Sequence, residues 1–217
     1  MKIVSLLRLM ACSLMLAALA PVARADTLDA ALITLENDWA HVTYEVPVAG
    51  QDAAYTALEA NTSALAAQYP QHAEPKVWQA IILSTHAGKH GGLGALGMAR
   101  NARDLLVQAQ KINPDVMHGS IYTTLGSLYD GAPGWPLGFG TKDKARAMLQ
   151  KALQLNPYGI DPNYFQGNFL YRSGDKPAAL AALHKALAAP ARADQPLADA
   201  GRRRQIQKLI QSINSTH

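Results

Sequence analysis

Tyr122-Thr-Thr-Leu125-Gly126-Ser-Leu-Tyr129, then Gly131-Ala-Pro-Gly-Trp135-Pro136-Leu137-Gly-Phe139-Gly140, then Ala145-x3-Leu149-x2-Ala152-x4-Pro157, is the stretch on which the fold turns. Apolar residues recur at steps of three and four on either side of the central segment, so each arm reads as an amphipathic helix. Small residues at 126, 145 and 152 let two antiparallel helices approach, and Leu149 fills the seam between them. Asn156-Pro157 stops the second helix, because the residue before a proline disfavours the helical region. The second arm recurs elsewhere in the chain. Ala102-x3-Leu106-x2-Ala109-x4-Pro114 has the same spacing, and Ala179-x3-Leu183-x2-Ala186 ends one residue early at Pro190.

This pattern resembles the tetratricopeptide repeat, with Tyr122 in the usual Trp place and an insertion between the two helices. The expected fold class is all-α: a tetratricopeptide-like, right-handed solenoid of antiparallel helix hairpins with a C-terminal capping helix. Hairpins are expected at roughly 27–44 with 52–69, 75–88 with 95–112, 117–130 with 141–155 and 161–173 with 177–188. Repeats then cover about 75–114, 115–157 and 158–190, and 26–217 forms one domain. Convincing strand signals are missing; Val42 to Val48 is the only stretch with some β character, and it ends at Pro47. Each hairpin of a solenoid exposes an apolar face to the next, so the last one needs a cover. Ile206, Leu209, Ile210 and Ile213 provide it in a cap over 194–213, with Asp194 as N-cap and Pro196 in the first turn.

Residues 1–25 read as a leader. Lys2 and Arg8 precede an apolar run from Leu9 to Ala20, Pro21 breaks it, and Ala23-Arg24-Ala25 offers small residues for cleavage. The run is too short to span a bilayer. Export to a bacterial periplasm follows as the expectation, with cleavage near Ala25. Leu9-Met10-Ala11-Cys12 has some likeness to a lipobox, but Met10 fits poorly and the apolar run continues well past Cys12, so a soluble exported protein is the reading preferred to a lipoprotein. The formal net charge of +4 falls to near neutral once Lys2, Arg8 and Arg24 leave, which removes the main argument for nucleic-acid binding. Cys12 is the single cysteine, so a cleaved chain has no thiol for disulfides, catalysis or metal.

Two connections are longer than the repeat requires. Gly167 to Ala179 spans 12 residues, whereas Gly126 to Ala145 spans 19 and Ile82 to Ala102 spans 20. The extra segments, 88–97 and 131–140, are expected as neighbouring loops at one rim of the stack. Trp135 and Phe139 stand out in the second, because exposing large apolar side chains costs about 25 cal/mol per Å². They either fold back onto the helices or meet a partner. Gly92-x-Gly94-x-x-Gly97 formally matches a dinucleotide fingerprint, but a helix precedes it where a strand is required.

Little else carries chemistry. His86 and His90 have the i, i+4 spacing that can place two imidazoles on one metal, yet no third ligand follows in sequence, and no metal or cofactor is assigned. Ser120 and Ser127 lack a nucleophile-elbow context, and no H-E-x-x-H or paired-carboxylate motif is present. No catalytic residue is assigned, and the chain is not expected to be an enzyme.

From Gly126 to Leu209 the chain resembles the periplasmic tetratricopeptide-like T components of TRAP transporters. The likeness rests on Gly134-Trp135-Pro136-Leu137-Gly138-Phe139-Gly140, Lys144-Ala145, Leu149-x2-Ala152-Leu153-x2-Asn156-Pro157, Gly159-x-Asp161-x-Asn163-Tyr164-Phe165 and Leu197-Ala198-Asp199-Ala200-Gly201-Arg202-Arg203. The resemblance implies an all-helical periplasmic protein that binds partner proteins, among them an extracytoplasmic solute-binding protein. It also implies self-association and a hydrophobic cleft for a small apolar ligand. Members are often lipoproteins, which this chain is not expected to be. The candidate partner- or ligand-binding residues are Trp135, Pro136, Leu137, Phe139, Tyr164, Arg202 and Arg203. A protein-binding scaffold is the leading reading, and a carrier of a small apolar ligand between repeats is the alternative.

Overall fold

The computed structural model describes residues 20–215. The leader expected over 1–25, including Cys12 and the lipobox-like segment, lies outside them except for 20–25, which begin the first helix. The helices in chain order are α1 (Ala20–Tyr44), α2 (Val48–Gln68), α3 (Ala73–His90), α4 (Gly92–Ile112), α5 (Ser120–Gly131), α6 (Lys142–Leu155), α7 (Ile160–Arg172), α8 (Lys176–Leu187) and α9 (Pro196–Ser215). A 3-10 turn at Val116–Gly119 leads into α5. No strand occurs among the described residues. The chain is an all-α stack of helix hairpins, α1/α2, α3/α4, α5/α6 and α7/α8, closed by α9.

The repeat positions act as their spacing demands. Ala102, Leu106, Ala109, Ala145, Leu149, Ala152, Ala179, Leu183 and Ala186 are all buried. A β-carbon on Gly126 would sit 2.6 Å from Cγ of Leu149, and one on Gly167 would sit 2.7 Å from Cγ of Leu183. Each glycine therefore sets how closely its two helices approach. Local chemistry fixes the helix ends. Thr141 Oγ1 accepts from the Lys144 amide and Asp175 Oδ1 from the Ala178 amide, capping α6 and α8. Asn113 and Asn156, each before a proline, follow the ends of α4 and α6. Gly174 turns α7 into α8 at φ 90°.

Two local expectations are corrected. Residues 88–97 are not a loop: α3 runs to His90, α4 begins at Gly92, and only Gly91, at φ 69°, stands between them. Paired glycines with positive φ supply an abrupt turn, so the added residues lengthen both helices. The Gly92-x-Gly94-x-x-Gly97 run opens α4 with a helix before it, not a strand. As the all-α expectation requires, Val42 to Val48 forms no strand: α1 continues to Tyr44 and α2 starts at Val48. Finally, α9 starts at Pro196, so Gln195 precedes it and Asp194 is not its cap. The carboxylate of Asp199 instead receives the backbone amide and guanidinium of Arg192.

The last helix covers two surfaces. Ile206 and Ile213 are buried with Ile160, Leu183 and Ala186, and Leu209 and Ile210 pack beside them, which seals the end of the stack. Its N-terminal half reaches back to the first hairpin, where Ala198 joins the cluster of Leu35, Trp39 and Trp78. Gly201 lies against the ring of Tyr44. The stack curls far enough for α9 to touch α1.

Candidate functional site

That curl creates a groove of about 550 Å³. Its walls are the first helices of the hairpins and α9, with the segments that lead into α5, α7 and α9: Trp39 from α1, Trp78 from α3, Thr124 from α5, Phe165 from α7, Arg192 before α9 and Arg202 from α9. No residue of α2, α4, α6 or α8 lines it, because those helices form the outer layer.

One side of the groove is aromatic. Trp39 meets Tyr44 edge-on at 5.9 Å and Trp78 at a tilt, also at 5.9 Å, and its Nε1 donates to Thr85 Oγ1. The Tyr44 hydroxyl is buried and finds no hydrogen-bond partner among the described residues. The other side is charged. Arg202 Nε donates to Asp161 Oδ1 at 2.7 Å, Arg192 Nη1 lies 3.2 Å from Asp161 Oδ2, and Arg192 Nη2 lies 2.6 Å from Asp199. The Arg202 guanidinium also lies over the rings of Tyr164 at 4.6 Å and Phe165 at 5.0 Å. Burial alone would raise the Asp161 carboxyl, but Arg202 and Arg192 outweigh it and hold the group below its ordinary range. Glu36, also on the wall, is pushed up to about 7 by burial, with Arg192 opposing and Asp194, Asp161 and Asp199 adding to the rise.

The residues singled out in the sequence fall into separate settings. Arg202 lines the groove, and Tyr164 supports it from behind. Arg203 turns away to cap α8, donating to the Leu187 carbonyl and, at 2.7 Å, to that of Ala189. Trp135, Pro136, Leu137 and Phe139 occupy the 131–140 loop and do not line the groove.

That loop is tightly tied. Gly140 N donates to Pro133 O, Gly138 N to Gly134 O and Thr141 N to Tyr129 O. A β-carbon on Gly138 or Gly140 would collide with the carbonyls of Pro133 or Ala132. Phe139 folds back edge-on to Tyr129 at 5.7 Å, with Arg103 4.7 Å above its ring. Arg100 Nη2 donates to Leu137 O at 3.0 Å, so the lengthened α4 braces the loop. Trp135 and Leu137 nevertheless remain 90% and 72% exposed.

A third cluster was only half visible in the sequence. His86 and His90 meet Asp52 and Glu59, which the packing of α2 on α3 brings to them. Burial opposes a charge on His86, but its hydrogen bonds to Asp52 and Glu59 outweigh that and raise its pKa above the ordinary 6.5. Contacts 27 and 34 residues apart in sequence leave no local signal. The groove residues Glu36, Trp39, Trp78 and Arg192 were missed for the same reason: each looks like an ordinary helix or turn residue until the stack curls.

No protein-family model matches the chain, and no curated protein matches it. Among solved structures it is similar to a thermophilic tetratricopeptide-repeat protein of Thermus thermophilus, with a TM-score of 0.53 and 19% identity, over 86% of this chain and 94% of that one. At that identity the similarity shows the fold alone: an all-helical, tetratricopeptide-like repeat. No helix among the described residues is long and apolar enough to cross a membrane.

Proposed function

We propose that this chain is a non-catalytic helical-repeat scaffold, exported to the periplasm, that docks a partner protein through the tip of its 131–140 loop. The observation carrying this reading is a contradiction within the loop. Its backbone is tied by hydrogen bonds and anchored by Phe139, yet it presents Trp135 and Leu137 to solvent. A loop made only to connect helices gains nothing from exposed apolar area. A preorganised aromatic tip loses little entropy on docking, and such residues carry much of the energy at protein interfaces. The partner proposed is an extracytoplasmic solute-binding protein of a TRAP-type transporter, on the likeness of the Trp135-Pro136-Leu137-Gly138-Phe139-Gly140 segment to T components. A copy of this chain is the competing occupant. Arg202 and Arg203 stand apart from this tip in their own hydrogen bonds.

The groove favours a second reading, as carrier of a small apolar ligand. Its volume of about 550 Å³ lies within the range of small-molecule sites, and it joins an aromatic wall to a few polar groups, including the unpartnered Tyr44 hydroxyl.

One experiment separates the readings. A photo-crosslinking residue at position 135 in native periplasm should yield an adduct containing a TRAP-type solute-binding protein, and Trp135→Ala with Leu137→Ala should prevent co-purification while helicity is kept. An adduct containing only this chain, or none, removes the transporter reading. A lipid-sized mass retained in native mass spectrometry would favour the groove.

A further inference from the structure

Away from groove and loop, the packing of α2 on α3 concentrates histidine and carboxylate groups beside a small surface cavity of about 100 Å³, lined by Asp52, His86 and His90 together with Val48, Gln51, Tyr55 and Lys89. His86 is almost wholly buried, and its ring stacks on Tyr55 at 5.2 Å and 19°. Tyr55 is in turn held by a hydrogen bond between its hydroxyl and Thr43. Glu59 Oε1 lies 2.6 Å from His86 Nδ1. Nδ1–H donates to Glu59, and Nε2, 2.9 Å from Asp52 Oδ1, is the nitrogen whose proton a cation would displace. His90, one turn further along α3, brings its Nδ1 to 2.8 Å from the same oxygen. Asp52, on exposed surface, is free to shift.

We propose that His86 Nε2, His90 Nδ1 and an Asp52 carboxylate oxygen bind a divalent cation of the zinc class, with Glu59 orienting His86 from outside the ligand set. One donor atom from each of Asp52, His86 and His90 lies within 4.8 Å of the other two. A tetrahedral ion with bonds of about 2.0–2.1 Å spaces its ligands roughly 3.3 Å apart, so the hydrogen-bonded donors need to open by only about half an ångström. Two imidazoles and a carboxylate suit a borderline cation better than calcium or magnesium, which prefer oxygen alone. The carboxylate–histidine pairing of Glu59 with His86 is the outer arrangement that fixes the tautomer at a metal-ligating histidine. Two carboxylates balance the ion's charge. The fourth position opens to the small cavity and takes water or a ligand from solution.

The test uses the mature chain without a polyhistidine tag. Titration with Co2+ should give the intense visible bands of a tetrahedral site at one equivalent, and Zn2+ should displace it with one calorimetric equivalent. His90→Ala, at a partly exposed helix end where folding is not at stake, should abolish the bands while circular dichroism is unchanged. Glu59→Gln should weaken Zn2+ on the order of 10–100-fold, and His41→Ala should have no effect. Co2+ that keeps the pale spectrum of its hexahydrate, or wild-type and His90→Ala titrations that coincide, would overturn the proposal.

Discussion

A β-carbon on Gly201 would sit 2.4 Å from Cγ and 2.5 Å from Cδ1 and Cδ2 of Tyr44, too close to the ring for any side chain. This contact joins the last helix to the first, and it requires glycine because α9 lies flat on an aromatic face. The groove exists because these two ends meet. Gly201→Ala should destabilise the fold by about 1–3 kcal/mol, the usual cost of forcing extra volume into a packed contact. Urea denaturation gives the value. If Tyr44 is released, its buried hydroxyl gains solvent, and its fluorescence and near-ultraviolet dichroism should change more than far-ultraviolet dichroism does.

The seams inside the hairpins predict a contrast between glycines. Gly126→Ala and Gly167→Ala push a methyl group into Leu149 and Leu183 and should each cost about 1–3 kcal/mol. Gly131→Ala meets open space at the end of α5 and should be neutral or stabilising by up to about 1 kcal/mol. Equal effects at all three positions would mean that close approach does not govern the pairing.

Glu36 makes stability depend on pH in a defined direction. Its carboxyl rises from 4.5 to about 7 in the folded chain, so the native state binds its proton more tightly than the unfolded state does. Between those values the native state carries the additional proton, and unfolding free energy therefore falls as pH rises. Above the folded pKa the full penalty of an ionised Glu36 is present. Glu36→Gln should remove this part of the slope and raise stability at pH 8 by roughly 1–3 kcal/mol. Denaturation midpoints of both proteins at several pH values between 4.5 and 8 provide the check.

Asp161 anchors two arginines at once. Asp161→Asn leaves the Arg202 cation among Tyr164, Phe165 and Gln205 without its counter-charge. The cost should be about 2–3 kcal/mol, below the 3–5 typical of a fully buried pair because Asp161 keeps some solvent contact. A loss under 0.5 kcal/mol in thermal or chemical unfolding would mean that solvent or Gln205 compensates the charge.

Within the aromatic loop, the two kinds of ring should separate by experiment. Phe139→Ala removes a ring packed on Tyr129 and under Arg103, and should cost about 1.5–3 kcal/mol. Trp135→Ala should change stability by less than about 0.5 kcal/mol and act on partner binding alone. A large loss of stability at Trp135 would make the tip a structural element and remove the basis for docking.

The hairpins were legible because their determinants are local. Ala145, Leu149 and Ala152 recur at one face of a helix whatever surrounds it, and Asn-Pro ends a helix through the backbone of two adjacent residues. The aromatic loop was legible for a related reason, since large apolar side chains among glycines and prolines are conspicuous without any fold. Residues 88–97 misled because glycine permits both a loop and an abrupt turn. Which one forms depends on whether the helices on either side find surfaces to pack against, as α4 does on α3 and on the 131–140 loop.

From the chain of residues alone came an all-helical, tetratricopeptide-like repeat, the position of its aromatic loop and half of a histidine cluster. Tertiary structure alone decided that α9 returns to α1, that Trp39, Trp78, Asp161 and Arg202 share one groove, and that Asp52 and Glu59 complete the set around His86. The division follows from range. Helix periodicity and termination act over a few residues, whereas curvature accumulates from small angles at every hairpin interface and brings together groups with no relation in sequence.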